Sequence, residues 1–200
     1  MHTLDDVEFH YDFSSPNCHV AHAKVKDLQR KGKIKNLFFS PVLLGGLFKS
    51  TNDAALPKGS LEYNYMAKNL ERLSKSLGVN FKFSHDRFPV NSLRSMRGTY
   101  FAKHAGKESE YIQEIFDACW SQDKDITQDS VLKLIVEDSL GLDFGQFLSF
   151  IEKDETKQKL RSDTQNALER GVFGAPTFFI DGDMYWGTPE ILWYLEDELK

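Results

Sequence analysis

The sequence predicts an α/β fold in which a β-α-β unit is followed by a block of helices and then by an α-β-β-α unit. Apolar and polar residues alternate from Val7 to Phe13, which is the period of a half-buried strand. In the middle of the chain, apolar residues recur at helical spacing. Near the end, Asp181-Gly182 separates two short β-rich runs, which is typical of a hairpin. These observations place strands at both ends of the chain and helices between them.

The N-terminal unit is predicted from the residues at its junctions. After the strand, Ser14-Ser15-Pro16 places hydroxyl residues before a proline, which is the pattern of a helix start with proline at the first helical position. The helix is predicted to run from Pro16 to Lys31 and to be ended by Gly32. A second strand follows at Ile34 to Ser40. The β-α-β order predicts two parallel strands joined by a right-handed crossover.

The middle of the chain is predicted to be an inserted helical domain. Its clearest helix carries an apolar stripe from Tyr63 to Leu77 and ends at Gly78. Thr127 and Asp143 are the predicted N-caps of two later helices. No internal repeat or low-complexity linker divides this block, whose size of about 100 residues is typical of a domain. We therefore predict a helical domain at 51–164, inserted into a domain made of 1–50 and 165–200.

The C-terminal unit is predicted to be a hairpin followed by a last helix. The hairpin strands are predicted at Thr177 to Ile180 and at Met184 to Trp186. Thr188 and Pro189 then fit the N-cap and the first position of the final helix. The complete order is that of a thioredoxin-like fold with a large all-helical insertion after the second strand. The pattern alone leaves this topology one candidate among several.

Composition and charge argue against several classes of protein. The formal net charge of -5 argues against a nucleic-acid-binding surface. No stretch approaches the roughly 20 apolar residues that span a bilayer. Met1 to Glu8 lacks the basic and apolar regions of a secretory signal, so we expect a soluble, cytoplasmic protein. Cys18 and Cys119 are expected to be free thiols, with one long-range disulfide as the alternative.

The strongest candidate site lies at Ser15-Pro16-Asn17-Cys18, where a strand ends and a helix begins. A helix N-terminus offers unpaired N–H groups and the positive end of the helix dipole, so it favours anions such as a thiolate. A dithiol redox enzyme would carry C-x-x-C here, but a serine hydroxyl cannot form a disulfide. It can donate a hydrogen bond to the thiolate of a bound cofactor. The alternative is that Ser15 is only an N-cap and Cys18 a core residue.

A proline distant in sequence bears on the same site. Ala175-Pro176 lies between a helix and a β-rich run, where a cis peptide bond is plausible. A cis bond would expose the backbone of Ala175, so that an extended peptide could pair with it. A trans proline at the start of a strand is the equally weighted alternative.

Three further pairs of side chains are candidates for a binding site: His19 with His22, Trp120 with Trp186, and Arg94 with Arg97. The histidines share one helix face, but no metal motif supplies additional ligands, so no metal is expected. The tryptophans could line an aromatic substrate pocket, although large aromatic residues more often belong to the core. The arginines could bind a substrate carboxylate, although solvated helix charge is the commoner role.

Five motifs spread along the chain together indicate a family. The chain resembles the kappa-class glutathione transferases and the bacterial 2-hydroxychromene-2-carboxylate isomerases, a branch of the DsbA-like thioredoxin superfamily. The motifs are F-H-Y-D-F-S-S-P (Phe9 to Pro16), P-V-L-L-G-G-L-F-K (Pro41 to Lys49), W-S-Q-D-K-D-I-T (Trp120 to Thr127), G-V-F-G-A-P-T-F-F-I-D-G (Gly171 to Gly182) and M-Y-W-G (Met184 to Gly187).

The resemblance implies a glutathione site with specific residues. Ser15 matches the serine that contacts the glutathione sulfur, and Asn52 matches an asparagine of the glutathione and substrate pocket. Ala175 matches the residue before the cis proline, here Pro176, whose backbone pairs with the cysteinyl part of glutathione. Thr188 falls where the family has a serine or asparagine near the γ-glutamyl carboxylate.

The chain departs from the family pattern at two places, one of which covers two neighbouring positions. The family usually continues with aspartate and arginine where this chain has Pro189 and Glu190, so a carboxylate for the γ-glutamyl ammonium is missing from its expected place. Glu190 could substitute for it, whereas Pro189 removes one backbone donor. Cys18 stands where many relatives carry serine, and it is either a relic of C-x-x-C or a core thiol.

The resemblance implies two enzyme functions in order of preference, and the departures at Pro189 and Glu190 motivate a third, non-enzymatic function. The first is a glutathione-dependent isomerase of 2-hydroxychromene-2-carboxylate or a similar intermediate of aromatic-ring degradation, which acts by reversible thiolate addition with Ser15 stabilising the sulfur. The second is a kappa-like transferase that conjugates glutathione to electrophiles, and the third is a non-catalytic binding protein. The expected partners are a small aromatic or electrophilic substrate and a second copy of the chain, with no nucleic acid and no membrane.

Overall fold

A four-stranded mixed sheet organises the computed structural model, which describes residues 3–83 and 86–187. Its strand order is β2-β1-β3-β4. The strands are β1 (Leu4–Tyr11), β2 (Ile34–Pro41), β3 (Thr177–Ile180) and β4 (Asp183–Trp186). β1 and β2 are parallel, whereas β3 runs antiparallel to both β1 and β4. The parallel pair and the hairpin are therefore confirmed.

Eight α-helices lie within the described residues, and two of them continue into π-helical turns. The helices are α1 (Pro16–Arg30), α2 (Leu44–Thr51), α3 (Leu61–Leu77), α4 (Leu93–His104), α5 (Glu108–Phe116), α6 (Asp129–Lys133), α7 (Phe144–Ile151) and α8 (Asp154–Glu169). The π-helical turns follow α5 and α6, at Asp117–Ser121 and Leu134–Ser139. The predicted mixed α/β fold with its block of helices is confirmed.

The capping predictions have different outcomes. Asp143 is an N-cap as predicted, because its Oδ1 accepts from the backbone N–H of Gln146 at 2.6 Å. The prediction for Thr127 is wrong, since α6 begins one residue later with Gln128 as its N-cap. The Thr127 hydroxyl instead donates to Asp125 Oδ1 at 2.6 Å, which leaves it bonded to the preceding loop.

Two further predictions concern the ends of the two proposed domains. The predicted boundary between 164 and 165 falls inside α8, which runs unbroken from Asp154 to Glu169. The division into a helical domain at 51–164 and a domain made of 1–50 and 165–200 stays a prediction. The last helix predicted from Thr188 lies outside the described residues.

The core is rich in aromatic rings, which β1 supplies on one face. Val7, Phe9 and Tyr11 are fully buried, as the alternation predicts. Phe9 stacks on Phe178 of β3 with ring centroids 4.9 Å apart. Burying a side chain of this size contributes about 1.5–3 kcal/mol. The β1–β3 pairing therefore anchors the first and last thirds of the chain to each other.

Gly98 of α4 faces two buried aromatic rings, those of Tyr111 and Phe147. A Cβ atom at this position would overlap the Tyr111 hydroxyl and lie 2.6 Å from Cε2 of Phe147. Because both rings are fully buried, we expect Gly98→Ala to destabilise the fold by about 1–3 kcal/mol through overpacking. Urea unfolding measures the change. Gly45→Ala is the control, since a Cβ there meets nothing within 4 Å, and equal stability of the two variants would contradict the prediction.

Over residues 3–83 and 86–187, no helix combines the length and apolar character needed to cross a bilayer.

Candidate functional site

Ser15 is the N-cap of α1, as the sequence predicts. Its backbone is extended, with φ -92° and ψ 114°, and Pro16 occupies the first helical position. The Ser15 hydroxyl oxygen accepts from the backbone N–H of Cys18 at 3.3 Å. This bond satisfies one of the free donors of the helix end. The side chain is therefore fixed at the positive end of a helix of 15 residues.

The proline loop meets Ser15 directly. The Ala175–Pro176 bond is cis, which decides between the two alternatives that the sequence left open. The Ser15 hydroxyl donates to the carbonyl oxygen of Ala175 at 3.0 Å, across a sequence separation of 160. The structure thus brings together two of the predicted site residues, and it shows which backbone group the serine proton contacts.

A cleft of about 580 Å³ opens in front of this contact. It reaches from the start of α1 to β4, and Asp53 and Trp186 are among the residues along its walls. Apolar side chains form much of the remaining wall: Leu44, Phe48, Leu56, Met66, Phe88 and Val90. A polar junction of helix end and carbonyl therefore lies in a mainly apolar cleft, which is the usual character of a small-molecule site.

The other predicted site residues are placed differently. Asn52 is exposed at the end of α2, with a left-handed backbone of φ 57°, and it is not among the described residues that line the cleft. Its neighbour Asp53 does line the cleft, and the sequence did not single it out. Thr188, Pro189 and Glu190 lie outside the described residues. The contacts predicted for Asn52 and Thr188 stay predictions.

Asp12 supports the segment that carries Ser15, and the sequence did not single it out. It is 2% exposed. Its Oδ1 accepts from the Ser14 backbone N–H at 2.9 Å and from the Ser92 hydroxyl at 2.5 Å. Its Oδ2 accepts from the Leu44 backbone N–H at 2.7 Å. Burial raises the pKa of Asp12, and these hydrogen bonds oppose the rise.

The hydrogen bonds of Asp12 connect separate parts of the chain near the cleft. Its carboxylate joins the segment before α1 to the starts of α2 and α4. Its carbonyl oxygen accepts from the Ser15 backbone N–H at 3.1 Å. A carboxylate within an otherwise apolar alternation, Tyr11-Asp12-Phe13, was the available sequence signal.

The two cysteines are both free and buried, so the prediction of free thiols is confirmed. Burial raises the pKa of Cys18 to about 12, against an ordinary value of 9.0, and also raises the pKa of Cys119. The thiolate is the reactive form of cysteine. Cys18 is therefore a core thiol, which favours the structural interpretation of this position.

We expect neither cysteine to react while the protein is folded. Iodoacetamide at pH 8 should leave Cys18 and Cys119 unmodified, because both side chains are buried and protonated. Mass spectrometry measures the number of added groups. The same reagent in denaturant is the control and should modify both thiols. Rapid modification of Cys18 in the folded protein would show that α1 opens and that the thiol is accessible.

The remaining candidate pairs are mostly structural. Trp120 is buried, and its Nε1 donates to the carbonyl oxygen of Phe13 at 2.8 Å, so it belongs to the core. Trp186 is 50% exposed and lines the cleft. The two tryptophans therefore follow different interpretations, a distinction that the sequence did not make.

The charged and titratable pairs do not converge on the cleft. His19 and His22 are buried against aromatic rings, and burial lowers the pKa of each. Within the described part of the chain, no three His, Cys, Asp or Glu side chains are grouped to hold a metal ion. Arg94 forms an ion pair with Asp129 at 2.6 Å, which agrees with a role as helix surface charge.

Comparisons with known proteins agree with the described fold. A family model described as "DSBA-like thioredoxin domain" matches residues 6–196. A 2-hydroxychromene-2-carboxylate isomerase of Pseudomonas sp. (strain C18) is 25% identical over 191 residues, covering 92% of this chain and 86% of the relative. Glutathione S-transferase kappa 1 of Rattus norvegicus is 27% identical over 208 residues, covering 96% and 91%. A solved structure of 2-hydroxychromene-2-carboxylate isomerase superimposes with a TM-score of 0.85 at 23% identity, covering 97% of this chain and 94% of that structure.

Proposed function

Because the chain belongs to the family of DSBA-like thioredoxin domains, we propose that it is a glutathione-dependent isomerase of an aromatic substrate. The observation that carries the proposal is the 3.0 Å contact between the Ser15 hydroxyl and the Ala175 carbonyl. It lies at the N-terminus of α1 and on the wall of the cleft. Relatives named as 2-hydroxychromene-2-carboxylate isomerases support an isomerase.

The residues at this contact fit an extended thiol peptide. The α1 N-terminus favours an anionic sulfur, and the Ser15 hydroxyl supplies a proton donor beside it. The carbonyl of Ala175 can accept a hydrogen bond from a backbone N–H of the bound peptide. When bound, glutathione supplies a nucleophilic thiolate that adds reversibly to a conjugated carbon and leaves again.

Ser15 and Ala175 satisfy each other in the structure, which defines the change that binding requires. The Ser15 proton points to the Ala175 carbonyl. If an N–H of the bound peptide takes over that carbonyl, the Ser15 proton becomes available for the sulfur. The bond from the Cys18 N–H to Ser15 Oγ does not use the hydroxyl proton, so it holds the oxygen in place during this exchange. Ser15 thus changes its partner without changing its position.

A transferase is the second candidate. The kappa-class relative supports it, because its name assigns glutathione transfer to a chain of similar length. The same Ser15 contact and the same cleft serve both reactions. They differ only in whether the substrate leaves free or as a conjugate. A non-catalytic binding protein would keep the fold and lose glutathione affinity.

One experiment tests these candidates together. The protein is incubated with glutathione and 2-hydroxychromene-2-carboxylate, and both substrate and free glutathione are followed with time. An isomerase converts the substrate while free glutathione stays constant, whereas stoichiometric loss of glutathione indicates a transferase. Substrate conversion at full rate without glutathione would contradict the proposal. So would calorimetry that detects no glutathione binding at millimolar concentration.

The resemblance also leads us to propose a homodimer and a cytoplasmic location. Sedimentation measures the former, and fractionation of cells measures the latter. Asn52 and Thr188 are proposed to complete the glutathione contacts.

A further inference from the structure

Trp186 is a large aromatic side chain that lines the cleft and remains exposed to solvent. Trp186 is 50% exposed, whereas Trp120 is 2% exposed. Burial of an indole in the core or a contact surface is among the most favourable of any side chain. A tryptophan that is half exposed on the wall of a cleft therefore retains apolar area that a ligand can cover.

The backbone beneath Trp186 is shaped for the indole. A Cβ atom at Gly174 would lie 2.5 Å from Nε1 and 3.3 Å from Cε2 of Trp186. The ring edge therefore lies directly on the glycine backbone, where any side chain would displace it. Gly174 immediately precedes Ala175, so the indole stands beside the carbonyl that Ser15 contacts.

Further contacts hold the indole ring and the backbone that carries it. The Phe173 ring supports it, with centroids 4.9 Å apart and planes at 47°. Trp186 pairs with Thr177 in the β3–β4 hairpin, and the N–H of Gly187 donates to the Pro176 carbonyl at 3.2 Å. A side chain held in this way loses little conformational entropy when a ligand covers it.

We propose that Trp186 is a stacking platform that selects planar, conjugated aromatic substrates. The inference rests on the proposed function, since it assigns the second substrate of the same cleft. A flat ring gains offset or edge-to-face contact with an indole, worth about 0.5–1.5 kcal/mol beyond the area that is buried. A saturated ring of equal size and charge lacks that contribution. The platform therefore sets substrate preference, while Ser15 serves the sulfur.

The test compares two unreactive ligands in the absence of glutathione. Naphthalene-2-carboxylate and its saturated analogue decahydronaphthalene-2-carboxylate are titrated by calorimetry. The wild type is expected to bind the aromatic acid more tightly. Trp186→Ala should weaken binding of both acids because it removes apolar area, and it should weaken binding of the aromatic acid about 3- to 10-fold more than binding of the saturated acid. This difference between the two acids corresponds to the stacking contribution. Phe38→Ala is the matched control, because Phe38 is an aromatic residue 52% exposed on β2, outside the cleft.

Two further variants protect the test against a loss of folding. Trp186→Phe keeps a ring and should fall between the wild type and Trp186→Ala. Gly174→Ala keeps the indole but displaces it, and it should also weaken binding of the aromatic acid. Circular dichroism is used to check that each variant is folded before its affinities are compared.

Several outcomes would overturn the platform. These are an unchanged affinity for the aromatic acid in folded Trp186→Ala, equal affinity of the wild type for the two acids, or no binding of either acid. An exposed indole that instead joins two copies would appear as a concentration-dependent association that Trp186→Ala abolishes, and this result would also reject the proposal. Because the titrations contain no glutathione, they test the platform even if the protein proves not to bind glutathione. Failure of this proposal is therefore distinguishable from failure of the proposed function.

Discussion

Ser15→Ala is expected to lower turnover with glutathione about 10- to 100-fold, because a hydrogen bond to a charged group contributes about 1.5–3 kcal/mol. The hydroxyl is the donor at the α1 N-terminus, and its present acceptor is the Ala175 carbonyl. Without it, the sulfur keeps the helix dipole but loses its specific donor. The pKa of the bound thiol is therefore expected to rise, which ultraviolet absorbance of the thiolate measures.

The control for Ser15 must share its structural role without its proposed chemistry. Ser60 is such a residue, since it is the N-cap of α3 and its hydroxyl accepts from the Tyr63 N–H at 3.1 Å. Ser15→Ala and Ser60→Ala are each expected to cost about 0.5–2 kcal/mol of stability. Only Ser15→Ala should alter turnover and the pKa of the bound thiol. If the two variants show the same turnover, the catalytic role of Ser15 is rejected.

Asp12→Ala is expected to destabilise the fold by about 3 kcal/mol, the largest effect on stability that we predict from one side chain. The substitution leaves three donors without their acceptor: the N–H groups of Ser14 and Leu44 and the hydroxyl of Ser92. A buried donor without a partner costs about 1–3 kcal/mol, and partial entry of water reduces the sum. Because the three donors lie at the starts of α1, α2 and α4, the variant should also lose activity.

Two further measurements separate the hydrogen bonds of Asp12 from its charge. Asp12→Asn keeps the shape but replaces one oxygen by an NH₂ group, so a donor faces a donor and the cost is about 1–3 kcal/mol. Burial raises the pKa of Asp12 above its unfolded value. Its charge therefore costs stability at neutral pH, and this cost is relieved as the pH falls through the raised pKa. The stability advantage of the wild type over Asp12→Asn should accordingly grow on acidification.

An exposed carboxylate on the same strand provides the comparison. Asp5→Ala removes a carboxylate that is 74% exposed and paired with Lys35 at 3.3 Å. Such surface pairs contribute about 0–1 kcal/mol. Urea unfolding at pH 7 should rank Asp12→Ala well below Asp5→Ala. Similar losses for the two would show that the Asp12 network adds no stability.

The elements of the fold were largely predictable because local patterns determine them. The β1 alternation places Val7, Phe9 and Tyr11 in the core, and the side-chain period of a strand requires no tertiary information. Gly78 ends α3 with a left-handed backbone of φ 67°, which a residue without Cβ adopts readily. Thr127 is not an N-cap, because its hydroxyl donates a hydrogen bond to Asp125 in the preceding loop.

The candidate site was predictable only in part. The sequence by itself determined that Ser15 caps α1, since the capping pattern and the following proline act within one turn of helix. Only the tertiary structure decided that the hydroxyl proton reaches Ala175, that Asp12 joins three helix starts, and that Trp186 rather than Trp120 faces the cleft. These contacts join residues far apart in sequence. Their formation depends on how the sheet and helices pack together, which no local periodicity encodes.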